Sequence, residues 1–101
     1  MKNFLFMLGL CRKAGAMEIG TPLVTASLPK GKIKVVLLAS DASANTEKRV
    51  TDKCRFYNTE LVKLPVSSIE ISTAIGKSGA VCTLGITDEN FSKQLIKLID
   101  A

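Results

Sequence analysis

The sequence predicts an α/β protein, a three-layer α/β/α sandwich with a central sheet of about four strands. Three observations predict it. Stretches with apolar residues at helical spacing alternate strictly with short β-branched runs, beginning and ending on a helix. Two of the runs, Ile33 to Ala39 and Ala80 to Ile86, are largely apolar, and the first shows no polar alternation after Lys34, the pattern of strands covered by helices on both faces. The links are short, so consecutive elements are expected to be neighbours. At 101 residues the whole chain, 1–101, is expected to form a single domain.

Each element has its own signal. Residues 3–14 place Phe4, Leu5, Leu8 and Cys11 at helical spacing, and Gly15 provides a stop. Met17 to Ile19 is a short extended piece that ends at Gly20. Thr21 is expected to cap the next helix, with Pro22 at the first helical position, where its missing N–H costs nothing. Leu23, Val24 and Leu28 are the expected buried face, and Pro29 to Gly31 close the helix. After the first buried strand, Ser40 to Asn45 reads as a loop. Thr46 to Tyr57 reads as an amphipathic helix with Val50, Cys54 and Tyr57 inward and Glu47, Lys48, Asp52 and Arg55 outward.

Leu61 to Leu64 is a short strand stopped by Pro65. Ser67-Ser68-Ile69-Glu70 carries the capping-box pattern, a hydroxyl at the cap and a carboxylate three residues on, and Gly76 ends that helix. The strand from Ala80 to Ile86 has its backbone loosened by Gly85. Thr87-Asp88-Glu89 brings negative charge to the positive end of the last helix, whose inner face is Phe91, Leu95, Leu98 and Ile99.

Composition narrows the function classes. With 47% hydrophobic residues the chain can bury a core without disulfides or metal. Fourteen Lys and Arg against nine Asp and Glu give a net charge of +5. That balance suits a polyanion, most commonly nucleic acid, and is also within what an ordinary solvated surface carries. Cys11, Cys54 and Cys82 form no C-x-x-C pair, and there is no His to complete a zinc site, so they are expected to be buried, reduced thiols, with no metal or other cofactor. Reduced thiols point to the cytoplasm. The apolar start, Met1 to Leu8, is short and runs into Arg12-Lys13 without a small-residue cleavage site, and no segment approaches the roughly 20 apolar residues of a membrane span. A soluble monomer without membrane contact is expected.

Catalytic parts are missing. General-base chemistry near neutral pH usually calls on His, which is absent, and there is no G-x-S-x-G elbow and no G-x-G-x-x-G after a strand. Gly76-Lys77-Ser78-Gly79 contains a G-K-S tripeptide, but it lies between a helix and a strand, the reverse of a phosphate-binding P-loop. Loop and cap duties account for Asp41 and Asp88. A non-enzyme is expected.

The segment Leu8-Gly9-Leu10-x-Arg12-Lys13-Ala14-Gly15 resembles the ribosomal protein family of L-seven-Ae type, the kink-turn RNA-binding proteins. The resemblance continues at Gly20, through Gly31-Lys32-Ile33-Lys34-Val35-Val36-Leu37-Leu38-Ala39-x-Asp41-Ala42-Ser43, and on to Asn45-Thr46, Lys53-Cys54-x-x-Tyr57, Ala74-Ile75-Gly76-Lys77 and Ile86-Thr87-Asp88. It covers nearly the whole chain and is nearest to the bacterial YlxQ-like branch, whose members are small and stand alone. It implies a ribosomal L-thirty-e-like sandwich and a role with structured RNA in or near the ribosome. Binders of kink-turns carry G-x-N-E-x-x-K at the start of the second helix. Laid on this chain, the pattern keeps Gly20 and meets Pro22, Leu23 and Ala26 at its other positions.

If the strands run as the alternation demands, one end of the sheet gathers the start of the second helix, the Ser40 to Asn45 loop and the Ile75 to Gly79 loop. The candidate RNA-binding residues there are Gly20, Thr21, Thr25, Asn45, Lys48, Arg49, Gly76, Lys77 and Ser78. Lys48 and Arg49 are expected in the first turn of their helix, where cations oppose the dipole and an anionic partner would offset the cost. Lys30, Lys32 and Lys34 fall at the opposite end and read as a solvated turn, with a second phosphate contact as the alternative. Arg12 and Lys13 suit a helix C-terminus on dipole grounds alone. The alternative reading is a protein–protein interaction module that kept the fold after losing the RNA motif, with an apolar patch around Leu23 and a ribosomal or other protein as partner. An enzyme-subunit domain would need a partner chain to bring the chemistry.

Overall fold

The computed structural model describes residues 1–100. Its elements are α1 (Lys2–Lys13), β1 (Met17–Ile19), α2 (Thr21–Ser27), a single 3-10 turn (Leu28–Lys30), β2 (Val35–Leu38), α3 (Ala44–Phe56), β3 (Glu60–Lys63), α4 (Ser68–Ile75), β4 (Thr83–Ile86) and α5 (Glu89–Asp100). The strands form one sheet in the order β1-β4-β2-β3, with β2 and β3 parallel and β4 antiparallel to both its neighbours. The two apolar runs thus become the inner strands, and every residue of β2 and β4 is buried.

Period-two alternation divides the core between the two faces of the sheet. Val35, Leu37, Leu84 and Ile86 face α1, α4 and α5, packed with Phe4, Leu8, Cys11, Ile71 and Leu95. Val36 faces α2 and α3, packed with Val24, Leu28, Ile33, Val50 and Cys54. Three layers result. Gly85 is opposite Val36 in the register, and a Cβ there would lie 2.6 Å from Ile33 Cδ1. Gly85 therefore makes room for Ile33; it does not loosen the strand.

Several boundaries differ from expectation, each for a local reason. Gly20, at φ 96°, is the cap of α2, and Thr21 is already helical. The Thr21 hydroxyl is hydrogen-bonded 2.9 Å from the Thr83 hydroxyl on β4, so the side chain ties the helix to the sheet and does not cap. Leu23 is exposed, leaving Val24 and Leu28 as the buried face. Helix α3 starts two residues early because the Ser43 hydroxyl accepts from the Thr46 amide at 3.2 Å. Asn45 is consequently helical, and the charge in the first turn is Glu47, with Lys48 and Arg49 one step further in. Strand β4 starts at Thr83 because the preceding segment folds back on α4, Lys77 N–H donating to Ser72 O and Val81 N–H to Ser68 O. Cys82 is only half-buried, unlike Cys11 and Cys54, and all three are free thiols.

Other signals hold. Gly15, at φ 70°, closes α1 in a Schellman motif, its own amide bonded to Arg12 O and that of Ala16 to Cys11 O. Ser67 and Glu70 form the reciprocal capping box, and Asp88 accepts from Phe91 N–H at 2.9 Å at the head of α5. A long-range clip joins the loop after β2 to α4. Asp41 Oδ1 accepts from Ser68 N–H at 2.8 Å, and Oδ2 from the Ser68 hydroxyl at 2.9 Å.

Two stability outcomes follow from these contacts. A Cβ at Gly9 would stand 2.9 Å from the Ala74 carbonyl oxygen, where α1 meets α4. That oxygen is backbone and cannot rotate away, so Gly9→Ala should cost roughly 1–3 kcal/mol of overpacking, against about 1 kcal/mol of helix propensity regained. Urea denaturation should show a net loss on the order of 1 kcal/mol. The Ser68 amide, then the Ser68 hydroxyl, hold the Asp41 carboxyl below the ordinary carboxylate range. The unfolded chain then binds this proton more readily, and Asp41 stabilises the fold above its unfolded pKa. Asp41→Asn should lower Tm at neutral pH, and the difference from wild type should vanish as the pH falls through the depressed folded value.

Candidate nucleic-acid interface

The strand directions sort the helix ends. β1, β2 and β3 all finish at the end of the sheet where β4 begins. Backbone bonds seal that end, Gly20 N–H to Thr83 O at 2.9 Å, Ala39 N–H to Cys82 O at 2.8 Å and Ser40 N–H to Val66 O at 2.9 Å. Helices α2 and α3 follow β1 and β2 there and pack together on one face, while Asp41 anchors the start of α4 on the other. Three helix N-termini therefore converge, with their partial positive charge directed at one end of the molecule, although Ser43 caps α3, and Asp41, Ser67 and Glu70 take up the amides at the start of α4.

The residues expected at this end divide by what they have free to offer. Gly20 holds the turn into α2 at a φ that a side chain would strain. Thr21 and Thr25 are half-buried; Thr21 is paired with Thr83, and the Thr25 hydroxyl donates back to Thr21 O and Pro22 O at 2.9 and 3.1 Å. Their hydroxyls are structural. Asn45, Lys48 and Arg49 are exposed on the first turns of α3. Glu47 between them is taken by Lys63 at 2.9 Å, a half-exposed pair worth little in itself. Among the described residues neither Lys48 nor Arg49 enters an ion pair.

Gly76, Lys77 and Ser78 do not join this group. Helix α4 begins beside Asp41 and runs for eight residues, carrying Gly76 about 10–12 Å away from that end. There Gly76 takes a left-handed C-cap, φ 72°, and the Arg12 guanidinium donates to Ile75 O. Arg12 and Lys13 of α1 share with Gly9, Thr73 and Gly76 a cleft of about 370 Å³. Lys77 and Ser78 are exposed just beyond it. Position along α1 gave Arg12 a sufficient role at the helix dipole; only the packing of α1 on α4 aims it at the other helix's carbonyls.

Burial, and then the nearby negative charge of Asp88, push the Cys11 thiol up to about 11, and burial raises Cys54 as well, so both stay protonated and poorly nucleophilic near neutral pH. Among the described residues no helix is long and apolar enough to cross a membrane. What the end of the sheet presents is donors and cations, suited to phosphate and to base acceptors.

Known proteins are similar to this chain in sequence and fold. The profile of the ribosomal protein L7Ae/L30e/S12e/Gadd45 family matches residues 3–96. The RNA-binding protein YlxQ of Bacillus subtilis (strain 168) is 37% identical over 97 residues, covering 93% of this chain and 92% of its own. The RNA-binding protein YlxQ of Enterococcus faecium is 38% identical over 94 residues, covering 93% and 88%. A solved structure of a protein with unknown function from Bacillus halodurans C superposes with a TM-score of 0.89 at 32% identity over 97% of each chain. The chain belongs to the ribosomal protein L7Ae/L30e/S12e/Gadd45 family.

Proposed function

We propose that this protein is a non-catalytic, cytoplasmic RNA-binding monomer that docks structured RNA, of kink-turn type and ribosome-associated, on the end of the sheet where α2 and α3 begin. The observation that carries the reading is the convergence of those helix starts beside exposed Asn45 and the unpaired cations Lys48 and Arg49. Two relatives named as RNA-binding proteins, each matched over nearly its whole length, support the class of ligand. The roles follow from chemistry. Gly20 lets the backbone approach the RNA, Asn45 can pair with a base edge, and Lys48 and Arg49 neutralise phosphates. Lys77 and Ser78, with Gly76, form a separate contact along the α4–β4 link. With Pro22, Leu23 and Ala26 apolar and the Thr21 and Thr25 hydroxyls bonded internally, the start of α2 offers few free polar side chains, so recognition there falls to α3 and to backbone.

A second reading has its own observation. Leu23 is 54% exposed between Pro22 and Ala26, an apolar spot suited to a protein partner. On that reading a captured protein stays bound after nuclease treatment and is lost in Leu23→Asp.

The direct test is a salt titration of affinity for a kink-turn RNA beside a plain duplex. The kink-turn should bind more tightly, with log affinity falling linearly in log salt, and Lys48→Glu with Arg49→Glu should reduce that slope by about 1 per lost phosphate contact. Equal affinity for both RNAs, unchanged in the double variant, would sink the proposal.

A further inference from the structure

The opposite end of the sheet gathers several exposed cations, with the exposed Glu60 opening β3 at the same end, and an aromatic ring that the fold leaves uncovered. Helices α2 and α3 both run away from the end described above, so their C-termini meet where β2 and β3 begin. One apolar cluster binds this region together. It contains Leu28, Ile33 and Cys54, with Tyr57 packed against it. The cations are close sequence neighbours of those buried residues. Lys30 follows Leu28, Lys32 and Lys34 flank Ile33, and Lys53 and Arg55 flank Cys54, all five exposed. Among the described residues the ion pairs are Lys63–Glu47 and Lys93–Glu89, so none of the five is neutralised by a partner. The helix dipole accounts for Lys53 and Arg55 in the last turn of α3. It does not account for Lys32 and Lys34, which belong to the link into β2.

Phe56 ends α3, next to Arg55 in the chain, and is 79% exposed. Its ring is held by Tyr57 edge-to-face, centroids 4.8 Å apart and planes at 76°. Most of the ring is left to solvent. Next to it is a recess of about 300 Å³ lined by Asp52, Lys53, Phe56 and Tyr57. An exposed ring among cations is the arrangement by which single-stranded nucleic acid is held, bases stacking on the aromatic while the backbone follows the positive charge. The Asp52 carboxylate at the rim opposes phosphate but can accept from the N–H groups on a base's pairing edge.

We propose that this end of the molecule, with Phe56 as stacking platform and Lys32, Lys34, Lys53 and Arg55 as phosphate contacts, binds single-stranded RNA. The surface is separate from the α2–α3 start, and the proposal goes beyond the reading of that site. A single protein would then grip a folded RNA at one end and an unpaired flank at the other.

The test is fluorescence anisotropy of the full chain with a labelled oligouridine strand, which has no fold of its own. Phe56→Ala should weaken binding about 5- to 150-fold, the range for one lost base–aromatic stack, and Phe56→Trp should retain it. Lys32→Glu with Lys34→Glu should reduce the salt slope by roughly 0.7 per lost phosphate. Because Phe56 is exposed, Tm should be unchanged in the alanine variant. Affinity of Phe56→Ala for the kink-turn RNA should stay within about twofold of wild type, against the larger loss that one stack gives.

Three outcomes would overturn the proposal. In the first, wild type fails to bind oligouridine, which leaves the kink-turn comparison to decide the other site alone. In the second, Phe56→Ala binds as tightly as wild type, or Lys48→Glu with Arg49→Glu removes the strand equally. In the third, polyglutamate of equal charge displaces the strand with the same affinity and without dependence on Phe56, which would assign the patch to an acidic protein.

Discussion

The structure depends on the pairing of two strands that have no exposed face. β2 and β4 lie side by side at the centre, Val35 opposite Ile86 and Leu37 opposite Leu84, with every side chain buried. Apolar residues on both sides of a strand require cover on both sides, and it comes from α1, α4 and α5 on one face of the sheet and from α2 and α3 on the other. The need to cover β2 and β4 therefore dictates two helix layers. It also explains the close approaches, since Gly85 yields its side-chain space to Ile33 and Gly9 lets α1 settle on the backbone of α4.

A mixed sheet of this kind gives the molecule two chemically different ends. Parallel progress along β1, β2 and β3 sends each following helix back across the sheet, so helix starts collect at one end. Much of the polar capacity there is consumed internally. Thr21 is spent on Thr83, Thr25 on its own helix, Asp41 on Ser68 and Glu47 on Lys63. What remains free is backbone amides, Asn45 and two cations, a smaller and more basic set than the sequence lists. The other end receives the C-termini of α2 and α3, whose carbonyls favour positive charge. Cations gather there on local grounds, and Phe56 is left exposed among them. Local helix energetics and recognition of a polyanion thus favour the same residues, which is why charge counting alone cannot separate the two.

Several candidate residues stand in other surroundings than their spacing suggests, because hydrogen bonds across the sheet are not visible along the chain. Nothing near Thr21 announces that its hydroxyl meets Thr83, some sixty residues away. Asn45 is helical because Ser43 caps α3 and starts it two residues before the expected start at Thr46, which puts Lys48 and Arg49 beyond the first turn. The Ile75 to Gly79 loop is expected at the same end of the sheet as Gly20, whereas the length of α4 carries Gly76 to Arg12.

The amino-acid sequence by itself determined the order of elements, the two buried strands, the glycine stops at Gly15, Gly31 and Gly76 and the capping box at Ser67, because each rests on residues within a few positions of one another. It also carried the family, since that resemblance runs through most of the chain in order. Tertiary structure alone decided the sheet order β1-β4-β2-β3, the exposure of Leu23 and Phe56, and which hydroxyls and carboxylates were left unbonded. Those depend on which distant segment arrives at each side chain. A buried donor or acceptor must find a partner wherever the packing brings one, and local spacing does not record where that will be.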